Sequence, residues 1–392
     1  MQRNTAWWLF WGALGLMVYT YLGFPLLVAL RGLLRPRTIR RGAATPPISM
    51  IIAAYNEEST ITKKLDNTFA LDYPAELIEV VVASDGSDDT TNELVVRYGK
   101  PNVRLLALPR QGKNRTLNDA VAAARGDILV FSDADSMLAP DALTHLIAPF
   151  SDPEVGGVGG DFRYASARGE GEGERTYWSI DRALKQLQSR AGSITSATGQ
   201  IYAVRRTLFK PIPVGVTDDF VTSIQVPAAH RRLVFEPCAV AYGPVAAASK
   251  AEFRRKVRVM TAGLRGVWVV RQVLNPLEYG FFAIQLWSHK VLRRLMVVPL
   301  AVLGVTAPML WRQGWLYQLA TLGQLCLHGA GLLGFLLRKT RVGRSKLLSL
   351  PFFFDMVNAA SVVAVINLLR GERHDIWVPQ RQVSESARDG SP

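Results

Sequence analysis

Cysteine is nearly missing from this chain of 392 residues, which has two, Cys238 and Cys326. Two thiols make neither a disulfide framework nor a zinc site, and their scarcity fits a reducing compartment. Two nucleotide fingerprints are also missing. No G-x-G-x-x-G follows a strand-like run, and no G-x-x-x-x-G-K-[ST] occurs, so neither a dinucleotide fold nor a P-loop is expected. There is no internal repeat, and the only low-complexity tract, Gly169 to Glu174, reads as a mobile loop. Charge is absent from Ala6 to Leu30. A helix needs about 20 apolar residues to cross a hydrocarbon core, and this run is long enough. It outlasts the apolar region of a signal peptide, lacks a small-x-small cleavage site and ends at Arg31, Arg35 and Arg37, so residues 1–37 read as an uncleaved anchor.

Three further apolar segments close the chain: Leu295 to Trp311, Trp315 to Leu337 and Leu347 to Leu369. Between them and the anchor lie a polar domain, 38–272, and an amphipathic interfacial segment, 273–294. Membrane segments are expected over 295–370 and a polar tail over 371–392. The net charge of +14 invites a nucleic-acid reading. The cations, however, gather beside the apolar segments at Arg35 to Arg41, Lys290 to Arg294 and Arg338 to Lys346, and no nucleic-acid motif accompanies them. Short basic loops beside spans mark the cytoplasmic side. The expectation is an integral protein of a bacterial-type inner or plasma membrane, with its polar domain in the cytoplasm and no nucleic-acid partner. Three spans after a cytoplasmic domain put the tail outside, although it carries Arg370, Arg373 and Arg381; Pro351 and Asp355 leave a re-entrant path open for the last segment.

Within the polar domain, Ile48 to Ala53, Val80 to Ala83, Val103 to Ala107 and Ile128 to Phe131 are short β-rich runs. Glu57 to Phe69, Thr90 to Tyr98 and Arg115 to Ala124, between them, carry helical spacing. This alternation predicts βαβ units in a mostly parallel, doubly wound sheet. Such sheets bind ligands outside the carboxyl ends of their strands. The polar clusters Tyr55-Asn56-Glu57, Ser84-Asp85-Gly86 and Ser132-Asp133-Ala134-Asp135 follow three of these runs, and so converge on one edge.

Asp133 and Asp135 lie two apart at a strand end, where alternate side chains point the same way. Two hard carboxylate oxygens suit Mg²⁺ or Mn²⁺, with phosphates and water completing the shell. The bland alternative, a solvated turn, is weakened by their place on the same edge as Asp85. Thr217-Asp218-Asp219 is a second carboxylate pair, able to take a proton from an attacking hydroxyl. It can equally cap a helix over Phe220 to Val226. Arg254 to Arg258 is a cationic run that binds either anionic lipid or a pyrophosphate, with Arg255 and Arg258 as candidates for the second role. Lys113, after Gly112, can serve the same phosphates or stand as a solvated surface lysine.

Together these residues resemble the ordered motifs of family 2 glycosyltransferases. The matching stretches are Ile48 to Glu58, Ser84 to Thr90, Ser132 to Asp135 and Thr217 to Asp219, the last resembling that family's Thr-Glu-Asp motif. The bracketing apolar segments are further similar to the membrane synthases of cellulose, hyaluronan and poly-N-acetylglucosamine. The resemblance implies a GT-A (Rossmann-like) α/β domain flanked by transmembrane helices, and an inverting single displacement. It places Tyr55, Glu57 and Asp85 around the nucleotide and Asp133 and Asp135 on the metal, makes Asp219 the base, and puts Thr198, Gly199 and Gln200 at the acceptor end. One departure stands out. Processive members carry Gln-x-x-Arg-Trp, whereas Arg255-Lys256-Val257-Arg258-Val259 keeps the arginine without the glutamine or the tryptophan.

The leading expectation is therefore transfer of a hexose or N-acetylhexosamine from a UDP-sugar to a lipid-linked or growing glycan, with membrane lipid as the surrounding partner. The rivals are processive polymerisation with secretion, and a non-catalytic membrane partner that binds nucleotide or glycan. The Asp133, Asp135 and Asp219 set speaks against the last, because a binding module needs no base.

Overall fold

The computed structural model describes residues 2–164, 172–243, 249–343 and 345–372. The chain opens with two helices, α1 (Gln2–Val18) and α2 (Phe24–Leu34), joined by a π-helical turn at Tyr19–Gly23. Strands and helices then alternate: β1 (Ile48–Ala54), α3 (Ile61–Phe69), β2 (Ile78–Asp85), α4 (Thr91–Tyr98), β3 (Val103–Leu108), α5 (Lys113–Ala123) and β4 (Ile128–Phe131). Next come β5 (Met137–Leu138), α6 (Ala142–Ile147), β6 (Val155–Tyr164), α7 (Glu172–Ala191), β7 (Tyr202–Arg205), α8 (Asp218–Ala228) and β8 (Arg232–Gly243). Among the described residues five α-helices follow: α9 (Ser249–Val269), α10 (Pro276–Leu286), α11 (Val297–Met309), α12 (Trp315–Leu336) and α13 (Lys346–Leu369).

The chain divides into two compact units. One holds the described residues of Met1–Thr38, Arg168–Thr195 and Lys256–Glu372, the other those of Ile39–Ala167 and Ser196–Arg255.

Among the described residues, the second unit is built on one sheet of eight strands, ordered β3-β2-β1-β4-β7-β6-β8-β5. The expected parallel part is β3-β2-β1-β4; across the whole sheet four of seven pairings are parallel and three, β4–β7, β6–β7 and β5–β8, antiparallel. Helices on both faces explain the composition of the central strands, since a strand covered twice reads as a continuous apolar run. Ile48, Met50, Ile51 and Ile52 of β1 and Val80, Val81 and Val82 of β2 are all fully buried. α3 and α6 close one face over a core that includes Met50, Ile61, Leu65, Val80, Leu143 and Leu146.

The other unit is helical. Asn4–Leu34, Trp315–Leu336 and Lys346–Leu369 are each long and apolar enough to cross a membrane, and Pro276–Leu295 with Val297–Met309 forms a further pair bent by 54°. Phe10 packs among Leu303, Ala307 and Tyr317, while Trp8, Leu22, Leu33, Leu325 and Leu332 face outward. Large outward apolar side chains over such lengths suit a lipid surround rather than water. α13 carries Asp355 in mid-helix, and its carboxylate pairs with His328 of α12 at 2.8 Å. Gly331 of α12 leaves room for that carboxylate.

Two expectations change. The helix placed at Phe220 begins at Asp218, because both aspartates fit its first turn, where the unpaired N–H groups favour negative charge. Of the tract 169–174, residues 169–171 lie outside the described residues, while Glu172 already starts α7.

Candidate active site

The loops that leave β1, β2, β3 and β4 at their carboxyl ends meet on one edge of the sheet. The first two interlock: Asn56 N donates to Ser87 Oγ (3.0 Å), Asp88 N to Asn56 Oδ1 (2.9 Å) and Glu57 N to Thr91 Oγ1 (2.8 Å). The Glu57 carboxylate accepts from Thr60 Oγ1 at 2.8 Å.

Asp85, at the end of β2, is buried and ties down the loop that follows β3. Its Oδ1 accepts from Gln111 N (2.7 Å), Gly112 N (3.0 Å) and Thr116 Oγ1 (3.0 Å), and its Oδ2 pairs with the Arg110 guanidinium. Two glycines permit this approach. Gly112 has a φ of 92°, and a Cβ on Gly86, itself at φ 67°, would stand 2.7 Å from Arg110 N. Arg110 also lies over the Tyr55 ring, 3.4 Å from its centroid. Sequence reasoning missed Arg110. The signal was available, since the Arg110 to Lys113 loop follows a strand at the same edge.

Lys113 opens α5, and its ammonium bridges the two carboxylate motifs, 2.9 Å from Asp133 Oδ1 and 3.2 Å from Asp218 Oδ2. Burial disfavours that charge, but Asp133, Asp218 and Asp219 outweigh it and hold the lysine firmly protonated. Past β4 the expected alternation appears: Ser132, Ala134 and Ser136 are buried, while Asp133 and Asp135 turn outward. The Asp135 carboxyl is raised above its ordinary value, first by the protein crowded around it and then by the charge of Asp133, against the pull of Lys113. The two repelling carboxylates form a ligand pair suited to a divalent cation, which would take over the charge that Lys113 supplies beside Asp133. Among the described residues no third His, Cys, Asp or Glu joins them into a protein-only metal site, so the remaining ligands of such an ion would be phosphate and water.

Beneath this loop sits a residue the sequence did not single out. Lys64 of α3 is fully buried, and its Nζ donates to Ser132 Oγ at 2.7 Å and to the Ser136 carbonyl. Burial pushes its ammonium down to about 7, with Asp133 and Asp135 opposing.

At the head of α8, Thr217 occupies the N-cap position but makes no capping hydrogen bond, and its Oγ1 is buried without a partner among the described residues. Asp219 Oδ1 accepts from Phe220 N at 2.7 Å. The segment leading into α8 is anchored on α5, where Asn114 donates to the carbonyls of Pro213 and Val216 and Asn118 exchanges hydrogen bonds with Ile212. Thr198, Gly199 and Gln200 form a tight turn facing the second carboxylate motif. Thr198 Oγ1 donates to Gly160 O (3.3 Å), the Gln200 carbonyl accepts from Ser132 Oγ (3.1 Å), and a Cβ on Gly199 would lie 3.6 Å from Asp219 Oδ2. Tyr202, buried below and stacked on Phe131 at 4.6 Å, has its phenol raised well above the ordinary value, first by burial and then by Asp218 and Asp219. Arg255 and Arg258 both lie on α9, Arg255 in the sheet unit and Arg258 in the helical one. The structure thus brings together Tyr55, Asp85, Lys113, Asp133, Asp135, Asp218, Asp219 and the 198–200 turn along one edge of the sheet unit.

Comparison with known proteins follows the same edge. Residues 49–212 match the family described as Glycosyl transferase family 2. The chain is similar to the poly-beta-1,6-N-acetyl-D-glucosamine synthase of Staphylococcus epidermidis, 26% identical over 234 residues, which cover 56% of this chain and 56% of that protein. The synthase of that name from Staphylococcus aureus (strain COL) is 29% identical over 230 residues, 55% of this chain and 54% of that one. The chain therefore spans about half the length of the curated relatives it matches. Among solved structures, the mannosyltransferase PcManGT from Pyrobaculum calidifontis, in complex with GDP-Man and Mn²⁺, superposes with a TM-score of 0.70 at 24% identity, covering 93% of this chain and all of that one. At that identity the likeness establishes the fold, a GT-A-like sheet domain.

Proposed function

We propose, from the match of residues 49–212 to the family described as Glycosyl transferase family 2, an inverting membrane enzyme that moves a sugar from a nucleoside-diphosphate donor to a lipid-linked or growing glycan. The observation that carries this reading is Lys113, whose ammonium lies between Asp133 and Asp218. It joins the loops after β3 and β4 to the head of α8 at one point, where a pyrophosphate can meet cation and carboxylates together.

In this reading the nucleotide lies along Tyr55, Arg110 and the loop held by Asp85. Lys113 swings from its carboxylates to the phosphates, and Arg255 adds a second cation. Asp133 and Asp135 would hold Mg²⁺ or Mn²⁺, which offsets charge on the departing diphosphate. The acceptor hydroxyl enters beside the 198–200 turn. Its oxygen bonds to the anomeric carbon as the bond from that carbon to the diphosphate oxygen breaks, and Asp219 takes its proton. Asp218 faces Lys113 and so has an electrostatic role beside the base. Nucleotide sugars are made in the cytoplasm, and the basic flanks Arg35 to Arg41 and Lys290 to Arg294 favour the same side for this domain.

A processive synthase is the second reading, favoured by the similarity to two polysaccharide synthases. Against it stands the 255–259 stretch, which lacks the glutamine and tryptophan of the processive motif. One experiment addresses both. Membranes enriched in the protein are incubated with a panel of nucleotide sugars and Mn²⁺ or Mg²⁺, and the lipid and polymer fractions go to mass spectrometry. A single-sugar lipid product supports the first reading and a ladder supports the second. Absence of any transfer or donor hydrolysis would refute both and leave a non-catalytic binding partner.

A further inference from the structure

α3 buries the face formed by Ile61, Lys64, Leu65 and Thr68, the i, i+3, i+4, i+7 positions of an amphipathic helix. A lysine at the centre of such a face is unusual, because a buried ammonium is unfavourable unless fully hydrogen-bonded. A methionine would fill the same slot without that penalty, so core packing does not account for the residue. Its partners do. Nζ donates to Ser132 Oγ at 2.7 Å and to the Ser136 carbonyl, the two ends of the five-residue segment that carries Asp133 and Asp135 on its outward side. One ammonium therefore fixes both ends of the carboxylate loop from below. Ser132 extends the connection: its Oγ accepts from Lys64 and donates to the Gln200 carbonyl at 3.1 Å, in the turn that places Gly199 against Asp219.

We infer that Lys64 is a positioning residue of the transfer site: it sets the Asp133–Asp135 pair and, through Ser132, the 198–200 turn. The inference rests on the reading of that pair as a metal and donor site. Lys64 touches neither substrate nor ion, and its effect passes through the loop it holds. Partners that orient metal ligands in this way typically contribute about 10–100-fold in metal affinity.

The test uses the full-length protein in detergent micelles, with Lys64→Met and Ser132→Ala. Lys64→Met keeps length and apolar volume, so the variant should still fold. Metal-free amide exchange should accelerate over 132–136 and 198–201, and the Kd for Mn²⁺, titrated in the presence of UDP, should rise about 10–100-fold. Ser132→Ala should accelerate exchange over 198–201 and raise donor hydrolysis relative to transfer, with a smaller loss of Mn²⁺ affinity. A folded Lys64→Met with parental exchange and parental Mn²⁺ affinity overturns the inference. If Lys64→Met does not fold, Ser132→Ala decides: faster exchange over 198–201 supports it, and parental exchange and partition overturn it. A parent protein that binds no Mn²⁺ refutes the metal reading instead, and the metal-free exchange data then decide the role of Lys64.

Discussion

Asp85→Asn separates two ways in which this residue can serve the donor. In the structure the carboxylate is a hub: Oδ1 accepts from Gln111 N, Gly112 N and Thr116 Oγ1, and Oδ2 faces the Arg110 guanidinium. Asparagine retains the shape and can keep its oxygen where Oδ1 is, but its amide nitrogen then points at Arg110, donor against donor. One charge-assisted bond is lost and three others weaken as their acceptor becomes neutral. A hydrogen bond to a charged group contributes about 1.5–3 kcal/mol, and water reaches Arg110 in part, so about 2 kcal/mol is a reasonable cost. At 1.4 kcal/mol per factor of ten, that shifts the opening equilibrium of the 110–112 loop roughly 30-fold. Amide exchange at Gln111 and Gly112 should accelerate by about that factor. Arg110 would also leave the Tyr55 ring, 3.4 Å from its guanidinium carbon, and Lys113 would lose its fixed start of α5. UDP affinity should therefore fall in step with loop opening. If exchange at these amides stays parental while UDP binding is lost, Asp85 contacts the nucleotide directly and the hub argument fails.

Three other outcomes follow from the site. Asp135→Asn should abolish transfer while the protein stays folded, because the metal reading relies on two protein carboxylates; full activity without added metal on the best donor would refute that assignment. Asp219→Asn should lower turnover by about 10²–10⁴-fold, the usual range for general base catalysis, with UDP affinity near that of the parent in a calorimetric titration. Lost UDP binding would instead assign Asp219 to the donor site. For orientation, Cys238 is exposed in the sheet unit and its thiol is raised above the ordinary value, first by burial and then by Glu236, so labelling calls for pH 8 or above. In a Cys326→Ser background, an impermeant maleimide should modify Cys238 only after lysis; modification in intact cells would overturn the cytoplasmic placement.

The half of the fold that was legible is the half whose strands are apolar runs, β1, β2 and β4, which are buried, and β3 at the sheet edge, which is only partly covered. β1 to β4 read directly as apolar runs with polar residues at their carboxyl ends, and the helices between them kept their period because only one face of each is covered. β6 did not read as a strand because Gly156, Gly157, Gly159 and Gly160 fill it, a composition that local propensity assigns to a loop. Tertiary packing overrules that propensity: a Cβ on Gly157 would stand 2.8 Å from Leu233 Cδ1 and one on Gly160 2.6 Å from the Ala239 carbonyl. β8, which pairs with β6 in parallel and with two register shifts, carries Pro237 within it and was obscured in the same way.

The site divides along a related line. Asp133 and Asp135 announced themselves as a carboxylate pair at a strand end on the edge shared with Asp85, and Asp218 and Asp219 as a second pair, although these two also open α8. Lys64 was not singled out: it stands beside Lys63 in the same helical stretch, and its i+3 spacing from Ile61 puts it on the apolar face without saying what it meets there. Their difference lies in partners far along the chain, with Ser132 68 residues away. A helix set one residue differently on the sheet would bury Lys63 instead and leave the carboxylate loop without its lower support. Local pattern thus exposes the groups proposed to meet a ligand, whereas the group proposed to hold them in place is defined by register. Substitution at Lys63, which is exposed, should accordingly leave exchange over 132–136 at the parental rate while Lys64→Met raises it. Equal effects from the two lysines would show that charge near the loop, and not the two hydrogen bonds of Lys64, sets its geometry.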